Sequence, residues 1–112
     1  MTNVHTNGTV NRREGAFTGL DWDEGNRRKC EKHGVTVEDI ESLFGKGARI
    51  APDLKHSQRE DRFIAVGRSR KGRPMFVAFA VRERKGERLV RPVSARYMHK
   101  KESERYEEAE GP

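Results

Sequence analysis

Arg62-Phe63-Ile64-Ala65-Val66-Gly67-Arg68 and, after the turn Ser69–Arg73, Pro74-Met75-Phe76-Val77-Ala78-Phe79-Ala80-Val81-Arg82 decide the fold. The first run alternates with period two, so Phe63, Ala65 and Gly67 share one face of a strand while Arg62, Ile64, Val66 and Arg68 share the other. The second run is apolar on both faces, which predicts a strand in the middle of a sheet. Gly72 in the five residues between them fits a hairpin turn. Downstream, Lys85-Gly86 turns the chain again. Leu89 to Ala95 then forms a partner strand, in which Pro92 predicts a bulge or an edge because it cannot donate to a ladder.

Upstream of this core the period changes. Ala48 to Ala51 is a short strand halted by Pro52-Asp53, and Leu54 to Asp61 is a polar loop. Thr36, with Asp39 three residues on, predicts a capping box opening a helix whose Val37, Ile40, Leu43 and Phe44 fall on one side. An earlier helix spans Glu24 to His33, capped by Asp23 and stopped by Gly34. Phe17 to Trp22 alternates as a first strand. A last polar helix, Lys100 to Glu108, follows His99 and is anchored by Tyr106. The predicted order is β-α-α-β-β-β-β-α: an α+β domain with an antiparallel meander sheet, two N-terminal helices packed on it and a short C-terminal helix.

The 112 residues allow one small domain. Leu, Ile, Val and Phe number 21, few enough that the core must be concentrated, and they are nearly absent from both ends. Residues 1–15 therefore read as an unstructured leader, 16–108 as the domain and 109–112 as a frayed acidic tail. No stretch is long and apolar enough for a membrane span or a signal peptide, so a cytoplasmic protein without membrane contact is expected. The single Cys30 cannot form an internal disulfide and reads as a small buried residue. Its spacing to His33 is ligand-like, but no second pair completes a zinc site; no metal and no cofactor are expected.

Charge is polarised. Lys55 to Lys101 contains fifteen Lys and Arg against four Asp and Glu, whereas residues 102–112 hold one basic and five acidic residues. The cations are interleaved with strand-forming residues, which predicts a folded surface that presents arginines to a polyanion, foremost RNA.

Trp22-Asp23-Glu24, Lys32-His33-Gly34-Val35, His56-Ser57, Glu60-Asp61-Arg62-Phe63-Ile64-Ala65-Val66-Gly67-Arg68, Gly72-Arg73 and Ser94-Ala95-Arg96, in this order and followed by a Glu/Tyr-rich helix, resemble the BrnT toxins of bacterial type II toxin–antitoxin modules. The resemblance runs from Phe17 to about Glu107. It departs from the common pattern at Gly25-Asn26, where many members carry a lysine, and at His99, where a Ser or Thr cap is usual. It implies a RelE-like fold, an endoribonuclease activity that inhibits growth or translation, and neutralisation by a BrnA-like antitoxin with a ribbon-helix-helix DNA-binding domain. Operator DNA would then be reached only through the antitoxin complex.

Metal-independent RNA cleavage requires the ribose 2′-OH held in line with phosphorus, cationic donors for the phosphorane, and proton carriers. Arginine suits the second task because its planar fork stays charged and grips two phosphate oxygens. Arg62, Arg68 and Arg96 at strand ends are the candidates, with Arg82, Arg73, Lys71, Lys32 and Trp22 as further RNA contacts. Each arginine could instead be a salt-bridged strand end, and Trp22 could pack beneath the first helix rather than stack on a base. The candidate proton carriers are His33, His56, His99, Glu60, Asp61 and Tyr97; His56 lies in the loop before the arginine-bearing strand but could instead bond a neighbouring backbone group, and Glu60 and Asp61 could orient the nucleophile or simply pair with arginines. His33 is expected mainly to close its helix. The same arginines would also serve a non-catalytic RNA- or DNA-binding module, or an inactive toxin that only docks its antitoxin.

Overall fold

Pro74–Arg84 is the strand around which the chain is built. In the computed structural model, which describes residues 17–56 and 61–111, it is the middle strand (β4) of five. Its neighbours are β3 (Arg62–Arg68) and β5 (Glu87–Tyr97), both antiparallel to it. β2 (Arg49–Pro52) pairs antiparallel with β3 at one edge, and β1 (Gly19–Leu20) pairs with β5 at the other. The spatial order is β1-β5-β4-β3-β2. β2 to β5 form the expected meander, but β1 runs parallel to β5, so the sheet is mixed rather than wholly antiparallel. A two-residue strand has no periodicity from which a direction could be read.

The predicted faces hold. Ala65, Val77 and Ala95 form one cross-strand row and are buried beneath the helices. Ile64, Ala78 and Ser94 form a row on the opposite face, as do Val66, Phe76 and Arg96. The register shifts between Ala78 and Phe79, whose partners are Ser94 and Pro92, leaving Val93 as the extra residue of a bulge. Pro92 thus sits at the predicted bulge, beyond the short β1 pairing at Leu89 and Val90. Lys85 and Gly86 both have positive φ, 52° and 82°, the conformation of a two-residue hairpin turn between Arg84 and Glu87.

Helix α1 (Glu24–Glu31) is shorter than expected, with Lys32 as its C-cap and Gly34 at φ 91° turning the chain out. Asp23 caps it, and Asn26 has a structural role: its Nδ2 donates to the carbonyls of Asp21 and Pro92 at 2.9 and 2.8 Å. Helix α2 (Val37–Gly45) buries Ile40, Leu43 and Phe44. Thr36 caps it by accepting from the Asp39 N–H, but the Asp39 carboxylate does not reach back to complete a capping box. It accepts instead from the backbone N–H and the Nε of Arg70 in the β3–β4 turn, at 2.9 and 2.8 Å. That turn is further tied by Ser69 Oγ, which accepts from the N–H groups of Lys71 and Arg73.

Helix α3 (Lys100–Glu110) runs two residues beyond its predicted end and buries no residue of its own. Charge holds it against the sheet. Arg68 Nη2 lies 2.7 Å from Glu110 and 3.7 Å from Glu107, and the Tyr106 ring sits 5.2 and 5.3 Å from the guanidinium carbons of Arg49 and Arg68. Cys30 is fully buried, and that burial pushes its thiol up to about 12, so it remains a protonated core residue. No helix among the described residues is long and apolar enough to cross a membrane. The leader expected at residues 1–15 lies outside the described residues.

Candidate active site

The period of β3 sends Arg62 and Ile64 to the face away from α1 and α2, and the antiparallel register sets Phe76 and Ala78 of β4 and Ser94 and Arg96 of β5 beside them. Together with His33, Asp53 and Ala95 they line a groove of about 490 Å³. Its floor is mostly apolar, and an arginine stands on each flanking strand. Asp53 is fixed by its backbone N–H, which donates to the Arg62 carbonyl at 2.8 Å. His33 enters from the segment that follows α1 and is exposed.

Arg96 is held at three points. Its Nη1 and Nη2 donate to the two carboxylate oxygens of Glu102 at 2.9 and 3.0 Å, Nη1 also reaches the Tyr97 carbonyl at 3.2 Å, and the guanidinium lies 4.7 Å from the Phe76 ring centre. Glu102 is the third residue of α3 and accepts from the N–H of His99, the helix cap, at 2.8 Å. The Arg96 hydrogen bonds, followed by the His99 N–H, pull the Glu102 carboxyl down to about 2. The same pair raises the pKa of Arg96, so both stay ionised at any working pH.

The structure brings Arg62 and Arg96 to one groove and sends the other described candidates elsewhere. Arg68 belongs to a second, smaller cavity of about 330 Å³ with Lys46, Arg49, Val66 and Tyr106, where Glu110 and Glu107 neutralise it. The bond to Glu110 is the main reason its pKa is raised. Arg82 is half-buried at the far end of β4 and does not line the groove. Arg73 lies over the Tyr97 ring at 3.9 Å, and Lys71 is exposed in the turn. Lys32 is exposed at the end of α1. Trp22 packs against the core and donates its Nε1 to Glu41 at 3.2 Å, the packed arrangement rather than a free stacking platform.

His56 ends a 3-10 turn (Leu54–His56), its side chain outside what the structure describes, and Glu60 lies outside the described residues. Among the described residues, the histidine that lines the groove is His33 and the carboxylate is Asp53. Asp53 was visible only as a strand stop, and His33 mainly as a helix end with proton transfer as its lesser reading, because their approach to β3 and β5 depends on tertiary packing. Glu102 had a sequence signal: a glutamate at the third position of a helix is the returning half of a capping box. No cluster of three or more His, Cys, Asp or Glu among the described residues is arranged to hold a metal.

A groove with paired arginines, a mostly apolar floor and a histidine and carboxylate at hand suits binding and in-line displacement at a phosphodiester. No curated protein matches the chain. A family model described as "Ribonuclease toxin, BrnT, of type II toxin-antitoxin system" matches residues 22–102, which takes in every residue lining the groove and ends on Glu102. With most of its length matched, the chain belongs to the BrnT family of ribonuclease toxins.

Proposed function

We propose that the protein is an endoribonuclease toxin that cleaves RNA at this groove by attack of a ribose 2′-OH on the adjacent phosphorus, without a metal. The observation that supports it best is the placement of Arg62 and Arg96 on either side of the Ile64, Phe76, Ala78 and Ser94 floor. The scissile phosphate lies between the two guanidinium groups, and the charge that grows on its oxygens in the phosphorane meets donors already in place. His33 and Asp53 divide the proton transfers: one takes the 2′-OH proton as the O–P bond forms, and the other gives a proton to the departing 5′ oxygen. The products are a 2′,3′-cyclic phosphate and a free 5′-OH.

Membership of a type II toxin family implies an antitoxin partner. We take it to be BrnA-like, with a ribbon-helix-helix domain through which alone the complex reaches operator DNA. The segment that covers the toxin carries carboxylates facing the arginine sheet.

Incubating the purified protein with single-stranded RNA in EDTA tests the reading. Fragments ending in 2′,3′-cyclic phosphate, abolished by a 2′-deoxy residue at the cleaved position, are expected. Binding without fragments would replace the enzyme with a non-catalytic RNA-binding module.

A further inference from the structure

Arg96 has five N–H donors in one plane, and the structure accounts for three of them. The end-on pair of Nη1 and Nη2 hydrogens is taken by Glu102, and the second Nη1 hydrogen faces the Tyr97 carbonyl. What remains is the side-on edge, Nε–H and the second Nη2–H, for which no acceptor exists among the described residues. These two donors are parallel, with the spacing of two phosphate oxygens. Phe76 packs on the guanidinium face, so rotation about the last side-chain bonds is blocked as well.

We propose that Glu102 is a positioning residue for RNA cleavage: by occupying the end-on edge of Arg96 it fixes the side-on edge as a two-point clamp for the scissile phosphate. The proposal rests on the active-site reading above. Glu102 does not line the groove. It belongs to α3, the element that follows β5, and its own position is set by the N–H of His99. α3 therefore contributes to the site through one side chain, although it buries none of its residues. Neutralising Arg96 with a carboxylate weakens its net pull on any polyanion. The compensation is geometric: a guanidinium already held in place needs no reorganisation when the phosphorane charge develops.

The test is a double-mutant cycle in the full chain, with Glu102→Gln, Arg96→Ala and the pair, read as the single-turnover cleavage rate and as the Kd of an uncleavable 2′-deoxy-substituted RNA. Gln has the shape of Glu but presents an N–H₂ where the fork needs an oxygen. Glu102→Gln is expected to slow cleavage roughly tenfold or more while changing Kd less than about threefold. In the Arg96→Ala background the same substitution should do nothing further, which a merely structural role would not produce. Glu102→Asp, which keeps the charge but draws the carboxylate back, should lie between wild type and Gln. If Glu102→Gln cleaves faster or binds RNA more tightly, Glu102 competes with phosphate and the proposal is overturned. Loss of cleavage in Arg96→Ala with full activity in Glu102→Gln overturns the positioning role alone. Full activity in Arg96→Ala overturns the active-site reading and this inference together.

Discussion

Phe79 meets three other rings: Phe44 and Phe17 edge-on at 5.1 and 6.4 Å, and Phe63 stacked at 5.5 Å. Truncating it to Ala should cost about 3–5 kcal/mol, a large part of the roughly 5–15 kcal/mol available to a small domain. A urea midpoint equal to wild type would show that β4 does not organise the core. Phe79 was legible because a strand apolar on both faces must be central. Arg70 was not, since its partner Asp39 is distant in sequence. It looked like one more cation in an exposed turn, yet it ties that turn to α2 through a carboxylate side chain only 9% exposed. Arg70→Ala should therefore lower the denaturation midpoint while Lys71→Ala, one position on, leaves it unchanged. Equal midpoints would mean that the Asp39 pair adds nothing to the fold. Arg62→Ala, in contrast, should lose about a hundredfold in cleavage, equivalent to about 3 kcal/mol of transition-state stabilisation, with folding intact. Arg62→Lys should recover little, because an ammonium cannot grip two oxygens at once. Wild-type cleavage by Arg62→Ala would remove β3 from the site.

Among the elements, β3 was read to within one residue of its end, and its faces were legible because a clean period of two fixes which side chains share a side. β1 was found but its parallel direction was not, and the Thr36 box was half right because Asp39 had a better-placed cation elsewhere. α3 shows how an element with no buried side chain is kept in place, and pH should release it. The Glu102 carboxyl, ordinarily near 4.5, is held at about 2 by Arg96 and the His99 N–H, and the Glu110 carboxyl is lowered chiefly by Arg68. A carboxyl with a lowered folded-state pKa stabilises docking above its ordinary pKa. That contribution declines as pH falls from about 4.5 and is lost once pH passes below about 2. Amide resonances of the first turn of α3 should move toward coil positions across that window, and in Glu102→Gln this movement should be largely absent. A first turn that titrates identically in both proteins would assign the docking to other contacts.

For the whole molecule, formal charge and available charge differ. Between Lys55 and Lys101 the excess of basic over acidic residues is eleven. Much of it is spent internally: Arg68 on Glu107 and Glu110, Arg70 on Asp39, Arg84 and Arg91 on Asp21, Arg91 also on Asp23, and Arg96 on Glu102. The acidic partners come from the segments before β2 and from α3, so carboxylates from both sides of the basic middle fold back onto it. Sequence composition displays the charge but can display neither this pairing nor the lining of the groove, where Arg62 and Arg96 are the two of the seven candidate arginines and lysines that the structure places. The distinction is measurable, because the salt dependence of binding counts the phosphates neutralised: on single strands the slope of log K against log salt is about −0.7 per phosphate. If all eleven excess charges met RNA the slope would approach about −8, whereas two or three phosphate contacts in the groove give about −2. Titrating an uncleavable 2′-deoxy-substituted RNA between about 50 and 200 mM salt should give the shallow slope, and Arg62→Ala should reduce it by about 0.7. A steep slope would mean that RNA displaces the internal carboxylates, lifting α3 from Arg68 and Arg96, and that the open basic sheet, not the groove alone, is the binding surface.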